Sequence, residues 1–278
     1  MKFYTLLITI LLFAFSISFA QKKEKIKGTN IITLSAKKVE SFETVEIADN
    51  LEVFLIKSDT NSVEIEADDN LHDIIVFEII GNSLKLNTTK NVIKAKKFSV
   101  RINYTDILKL VIAKDEVVLK ALDDITLNNI TIKNYDRSKS FLNVKSDLFT
   151  LVLNDKSQAE VNSKADNTSI ETSDAAQLKA LIDTKEIKLN MYQKSKAEIE
   201  GDAKKATVRL DNNSSLKAKK MTINTLDLTT ELYSSCEINV KDQLKISATG
   251  KSEIKFLGDA KVTLDTFKNN AELKKIEK

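Results

Sequence analysis

The chain has no proline, no tryptophan, five glycines, one cysteine and one histidine among its 278 residues. Each shortage closes off a class of protein. A single cysteine, Cys236, cannot form an internal disulfide. With His72 as the only imidazole, the chain alone has too few soft ligands for a transition-metal site. So few glycines leave no phosphate-cradling loop, no G-x-S-x-G elbow and no glycine-rich calcium-binding nonapeptide. The turns must be made by Asn, Asp, Ser and Lys instead. An excess of one charge is missing too: 43 Lys+Arg stand against 40 Asp+Glu. Nothing in that balance points to nucleic acid. The apolar share of 42% is that of a folded protein, not a disordered one.

Residues 1–20 read as a secretory signal peptide. Lys2 supplies the positive start, Leu6 to Phe15 the apolar core, and Ser18-Phe19-Ala20 a small-x-small cleavage site before Gln21. An uncleaved anchor is the alternative, but the apolar run is short for a membrane span. No cysteine follows the site, so lipoprotein processing is not expected, and no later segment is long and apolar enough for a transmembrane helix. The expected location is therefore the periplasm, the outer surface or the extracellular medium. Residues 21–30, QKKEKIKGTN, have no periodicity and are expected to form a flexible basic tail.

What is present in abundance is a repeat. Ser157, Ala176, Ser195, Ser214, Ser234, Ser252 and Asn269 serve as anchors at intervals of about 19 residues. Two places later stand Ala159, Leu178, Ala197, Leu216, Cys236, Ile254 and Ala271, and four places later Val161, Ala180, Ile199, Ala218, Ile238, Phe256 and Leu273. Six places before the first six anchors stand Leu151, Ile170, Leu189, Val208, Leu228 and Ile246. Alternation on both sides of the anchor means two short strands per repeat. Small residues in one inward column face larger ones in the next, which holds the volume of each layer roughly constant.

The third place after the anchor reads Glu160, Lys179, Glu198, Lys217, Glu237, Lys255, Glu272. Such alternation of sign has a purpose if successive repeats lie side by side, because parallel in-register strands bring equivalent residues to about 4.8 Å, where like charges repel. The pattern predicts an all-β fold, a parallel β-solenoid with one coil per repeat. Regular coils are expected over 106–273, where residues 140–144 already match the anchor motif. Residues 31–105 hold less regular strands that begin or cap the stack, including a hairpin turn at Gly81-Asn82. Without a linker, 31–278 is expected to be a single solenoid domain. The lysine-rich LKKIEK at the end is expected to discourage stacking of further strands.

Candidate chemistry is sparse. His72 beside Asp73 could act as an acid or base, but nothing supplies a nucleophile, so it reads as a surface or turn histidine. Cys236 falls in an inward column and reads as a buried thiol; a reactive or metal-binding role is the alternative. Carboxylates matter more, since β-helices include enzymes that work with clustered Asp. The pairs Asp68-Asp69 and Asp123-Asp124, and Asp136 or Asp155 with Arg137, are the groups to watch; Arg101 and Arg209 lie elsewhere. Lys156, Lys194, Lys251 and Lys268 could line one turn edge and bind an anionic polymer, or simply solubilise it. No catalytic, metal or cofactor residue is assigned.

The stretch FETVEIADNLEVFLIKSDTNSVEIEADDNL, then IIGNSLKL, then strand–turn–strand repeats resembles the putative auto-transporter adhesin, head GIN domain family of exported Bacteroidetes proteins, over about residues 38–260. The resemblance implies a right-handed parallel β-helix, export to the envelope or surface, and no established activity or site residues. The family's glycine-rich turns are replaced here by polar ones at 154–157, 192–195 and 211–214. The function expected is a non-catalytic, adhesin-like protein presenting a face to glycan or protein. A polysaccharide-active enzyme and a purely structural envelope protein are the alternatives.

Overall fold

The computed structural model describes residues 23–277, built almost wholly of strands. The signal-peptide expectation lies outside the described residues. The chain runs through β1 (Lys25–Lys27), β2 (Ile32–Lys38), β3 (Thr44–Ile47), β4 (Glu52–Lys57) and β5 (Ser62–Asp68). A 3-10 turn at Asp69–Ile74 leads into β6 (Ile75–Ile80), β7 (Ser83–Thr88), β8 (Asn91–Lys94) and β9 (Phe98–Tyr104). Next come β10 (Leu110–Ala113), β11 (Val118–Ala121), β12 (Ile125–Thr126) and β13 (Asn129–Asn134). The long strands follow: β14 (Lys139–Leu153), β15 (Gln158–Thr172), β16 (Gln177–Met191), β17 (Lys196–Leu210), β18 (Ser215–Thr230) and β19 (Ser235–Ala248). The chain closes with β20 (Glu253–Leu257), β21 (Lys261–Phe267) and β22 (Glu272–Lys275).

From β14 onward each strand pairs in parallel with the one a coil later, so Leu151 lies beside Ile170, Ile170 beside Leu189 and Leu189 beside Val208. Along β14 the buried residues are Ser140, Leu142 and Val144, then Phe149, Leu151 and Leu153. The alternation slips between them because the strand turns a corner there, and each coil gives one limb to each of two walls. The three inward columns are apolar and buried, at 8% exposure or less through Phe256. The stack is therefore the expected β-solenoid with coils of about 19 residues.

The alternating file is real. Glu160, Lys179, Glu198, Lys217, Glu237 and Lys255 are consecutive register partners. Its last member is not as expected: Lys255 stands beside Lys274, while Glu272 stands beside Glu253. The final coil starts two residues later, with Ala271 and not Asn269 in the anchor column. The reason is that this column is interior: Ser138, Ser157, Ala176, Ser195, Ser214, Ser234 and Ser252 are all exposed by 1% or less. A polar residue was a poor guide to it, and Ser138, not Ser140, is the member contributed just before β14.

Two places before the anchors the backbone enters the left-handed region, at Asp115, Asp136, Asp155, Asp174, Gln193, Asn212, Leu232, Gly250 and Asn269. Asp and Asn tolerate this conformation because their short side chains bond to nearby backbone. That is how the coils turn without the usual glycines. The carboxylates also link coils: Asp49 N–H donates to Asp115 Oδ2 (2.9 Å), Asp115 N–H to Asp136 Oδ2 (3.0 Å) and Asp136 N–H to Asp155 Oδ2 (3.1 Å).

The N-terminal part departs most from expectation, because chain order is not spatial order. β3 and β4 stack directly on β10 and β11, and β7 and β9 stack on the far side of β3 and β4. Residues 44–57 and 83–104 are thus coils already, so the solenoid starts well before 106. The cap consists of antiparallel additions, β5 on β9, β2 on β5 and β6 on β7. The flexible tail is also corrected: residues 25–27 are a strand, β1, paired with β8. Lys23 bonds Asp49 (2.5 Å), and Asp68 accepts the N–H of Asn30 (2.8 Å). Basic composition without periodicity concealed a strap held by the half-buried Asp49 and the buried Asp68.

Candidate functional site

At the corner between the two limbs of each coil the chain places a small residue between two polar ones. Residues 145–147 read Lys-Ser-Asp, 164–166 Lys-Ala-Asp, 183–185 Asp-Thr-Lys and 202–204 Asp-Ala-Lys. The strand pairing stacks these triplets in register. Ser146, Ala165, Thr184 and Ala203 point inward and are too short to fill the corner. The result is a groove of about 1210 Å³ along the solenoid, its mouth extended by Lys57, Asp106 and Lys109 at one end and by Thr222 and Asn224 at the other. Thr184 Oγ1 lies within hydrogen-bond distance of Thr168 Oγ1 (3.2 Å) and donates to the Asp166 carbonyl (3.2 Å). Ser146 Oγ is buried without a partner. None of the groove's charged residues was singled out from sequence. The triplets become visible only once the 19-residue register is applied to the corner instead of the anchor.

The carboxylates expected to decide between enzyme and binder are divided. Asp136, Asp155 and Arg137 do share one shallow hollow, with Asp115, Lys156 and Asp174. The carboxylates of Asp136 and Asp155 accept backbone N–H groups of the preceding coil, and Arg137 pairs with Glu116. They tie turns together. Asp123 and Asp124 lie away from this hollow, in the loop after β11, where Asp124 pairs with Lys145 (2.6 Å). Arg101 pairs with Glu66 (3.3 Å) and Arg209 with Glu231 (2.5 Å).

Asp68 and Asp69 diverge. Asp68 is buried, which acts to raise its pKa, but the N–H groups of Asn30, Lys97 and Lys96 and the charge of Lys96 outweigh burial and hold the carboxyl below its ordinary range. Asp69 is exposed and accepts from Thr29 Oγ1. His72 sits in the 3-10 turn against β2, within reach of Thr33 Oγ1 (2.9 Å) and Ser35 Oγ (3.0 Å), as a turn histidine would. Cys236 is buried, and desolvation, with Glu237 and Glu253 nearby, pushes its thiol up to about 12. It remains a protonated, apolar filler. Lys156, Lys194 and Lys251 are exposed on one turn edge, but Lys268 falls outside that column, since Asn270 takes the place beside Gly250 that Lys251 takes beside Leu232. The stripe is interrupted by Ala175, Asn213 and Tyr233.

Among the described residues no group of His, Cys, Asp and Glu is arranged to hold a metal ion, and no helix is long and apolar enough to cross a membrane. The family described as "Putative auto-transporter adhesin, head GIN domain" matches residues 41–134 and 121–260. Several solved structures share the fold. A putative adhesin from Parabacteroides distasonis ATCC 8503 is 16% identical with a TM-score of 0.69, and one from Parabacteroides merdae ATCC 43184 is 17% identical with a TM-score of 0.65. A putative lipid binding protein from Parabacteroides distasonis ATCC 8503 is 14% identical with a TM-score of 0.59. Each comparison covers 91% of this chain and 100% of the other. No curated protein sequence matches.

Proposed function

Because the chain belongs to the putative auto-transporter adhesin, head GIN domain family, we propose that it is an exported, non-catalytic, adhesin-like protein. In this reading it is a single domain of the envelope or cell surface that holds another surface molecule, glycan or protein, along the corner groove. The observation that carries the reading is the groove itself: a long concave channel with a floor of small side chains and rims of Lys, Asp, Asn and Thr. Its charged rims suit a surface of complementary charge. The absence of an acid pair free for chemistry in the Asp136–Asp155 hollow supports binding over cleavage, since those carboxylates already serve the backbone. The signal-like residues 1–20 support export.

The test is a glycan array and a set of immobilised surface proteins probed with the purified protein, alongside polysaccharide-cleavage assays. Binding that is lost in the Lys145→Ala/Asp202→Ala variant, without cleavage of any polymer, is the expected result. Cleavage would make the protein an enzyme. Binding indifferent to the groove variant would move the site elsewhere.

A further inference from the structure

The groove rims carry a charge pattern that coil stacking does not require. On one rim stand Lys145, Lys164, Asp183 and Asp202; on the other stand Asp147, Asp166, Lys185 and Lys204. Thr126 and Asn128 bracket them at one end, Thr222 and Asn224 at the other. Lys145 is the register neighbour of Lys164, and Asp183 of Asp202, so like charges lie side by side at about 4.8 Å. The sign changes once, and there each rim closes an ion pair between coils: Lys164 to Asp183 (3.7 Å) and Lys185 to Asp166 (2.7 Å). Among the described residues Asp147, Asp202 and Lys204 have no ion-pair partner. Lys145 reaches away to Asp124. A rim serving only to keep coils in register would alternate, as the Glu160–Lys255 file does.

Two properties of the pattern identify what would satisfy it. The eight charges sum to zero, so a polymer of one sign would be repelled by half of each rim. The pattern also reverses its sign in two ways: each rim read backwards gives the opposite signs, and the two rims carry opposite signs at every coil. That is the requirement of an isologous contact, in which one patch must complement itself. With a two-fold axis along the groove, Lys145 and Lys164 face Asp147 and Asp166 of a second copy. With the axis across the groove they face its Asp202 and Asp183. In both cases every rim charge meets its opposite.

We propose that the surface molecule held by the groove is a second copy of this chain, so that the adhesive contact is homotypic. This rests on the reading of the groove as the binding site. Exposed ion pairs are individually weak and screened by salt, so single contacts are short-lived, and strength comes from many copies arrayed on facing surfaces.

Self-association of the purified protein is measured by sedimentation velocity, and clumping of protein-coated beads by light scattering, at about 0.02 M and about 0.5 M NaCl. Association and clumping at low salt that fade at high salt are expected. The Lys145→Glu/Lys164→Glu variant should self-associate about tenfold more weakly, and Lys145→Gln/Lys164→Gln less so; both should stay folded, with midpoints lowered slightly because the Lys164–Asp183 and Lys145–Asp124 pairs are lost. Mixing the Glu variant with Asp147→Lys/Asp166→Lys restores association if the axis runs along the groove. Mixing it with Asp183→Lys/Asp202→Lys restores it if the axis runs across. A wild type that neither associates nor clumps at low salt, or a failure of both mixtures, overturns the proposal. If the reversal variants lose a ligand found on the array while the wild type never self-associates, the groove remains the site and only the homotypic partner is wrong. If they change neither property, both readings fall.

Discussion

In the file Glu160, Lys179, Glu198, Lys217, Glu237, Lys255, sign alternates coil by coil, whereas on the groove rims Lys145 stands beside Lys164 and Asp183 beside Asp202. The two regions share the coils of β15, β16 and β17 and the same spacing between coils, and both face water. Their different rules therefore reflect different demands. Alternation opposes a slip of one coil against the next, even though none of the file's neighbours closes to an ion pair among the described residues. Grouping by sign slightly weakens the stack and makes sense as complementarity to something outside it. Stability given up at a surface for function is a familiar arrangement.

The largest effect should come from a change that breaks both regions at once. Gly201 lies between Glu200 of the file's wall and Asp202 of the rim, with φ at +112°, and a Cβ there would run into the Ile182 carbonyl oxygen. Gly201→Ala should cost about 3 kcal/mol, read from urea denaturation. An unchanged midpoint would mean that this bend is not tight.

Acid should act where neither charged region takes part. Asp68 has its pKa below the ordinary 3.8 in the folded chain, so its contribution is complete above that ordinary value and is lost as pH falls through the lower folded one. Hydrogen exchange at residues 28–31 should then rise below the folded pKa. Asp68→Asn should raise it already at neutral pH.

Much of the architecture was legible because a solenoid writes its core as columns: Leu151, Ile170, Leu189 and Val208 declare themselves by spacing alone. The N-terminal order was not legible, since nothing in β3 and β4 tells that the chain returns to β7 and β9 before continuing to β10. That polar residues make the turns was legible from the scarcity of glycine, but the left-handed position in each turn was not, because Gln193 and Leu232 occupy it alongside Asp155. The last coil was misplaced because Asn269 looked like the Ser anchors although those are buried. The groove escaped notice because its message lies in the sign order of Lys145, Lys164, Asp183 and Asp202, which has meaning only when the corner register is known.

Smaller effects come from exchanging the two rules. Glu198→Lys with Lys217→Glu keeps the composition but sets Lys179 beside an introduced lysine and Glu237 beside an introduced glutamate. This grouping should cost about 1 kcal/mol at low ionic strength and less in salt. Asp202→Lys with Lys204→Asp keeps the pairing across the groove and sets unlike charges beside Asp183 and Lys185. This change should stabilise the fold by about 0.5 kcal/mol while weakening self-association.

The most direct measurement is the urea midpoint of these two double variants beside the wild type, in one buffer of low ionic strength. Grouping the Glu160–Lys255 file should lower the midpoint and alternating the rims should raise it. If alternating the rims lowers the midpoint as grouping the file does, the grouped charges already serve the stack, and the case for an outside partner at the groove is lost.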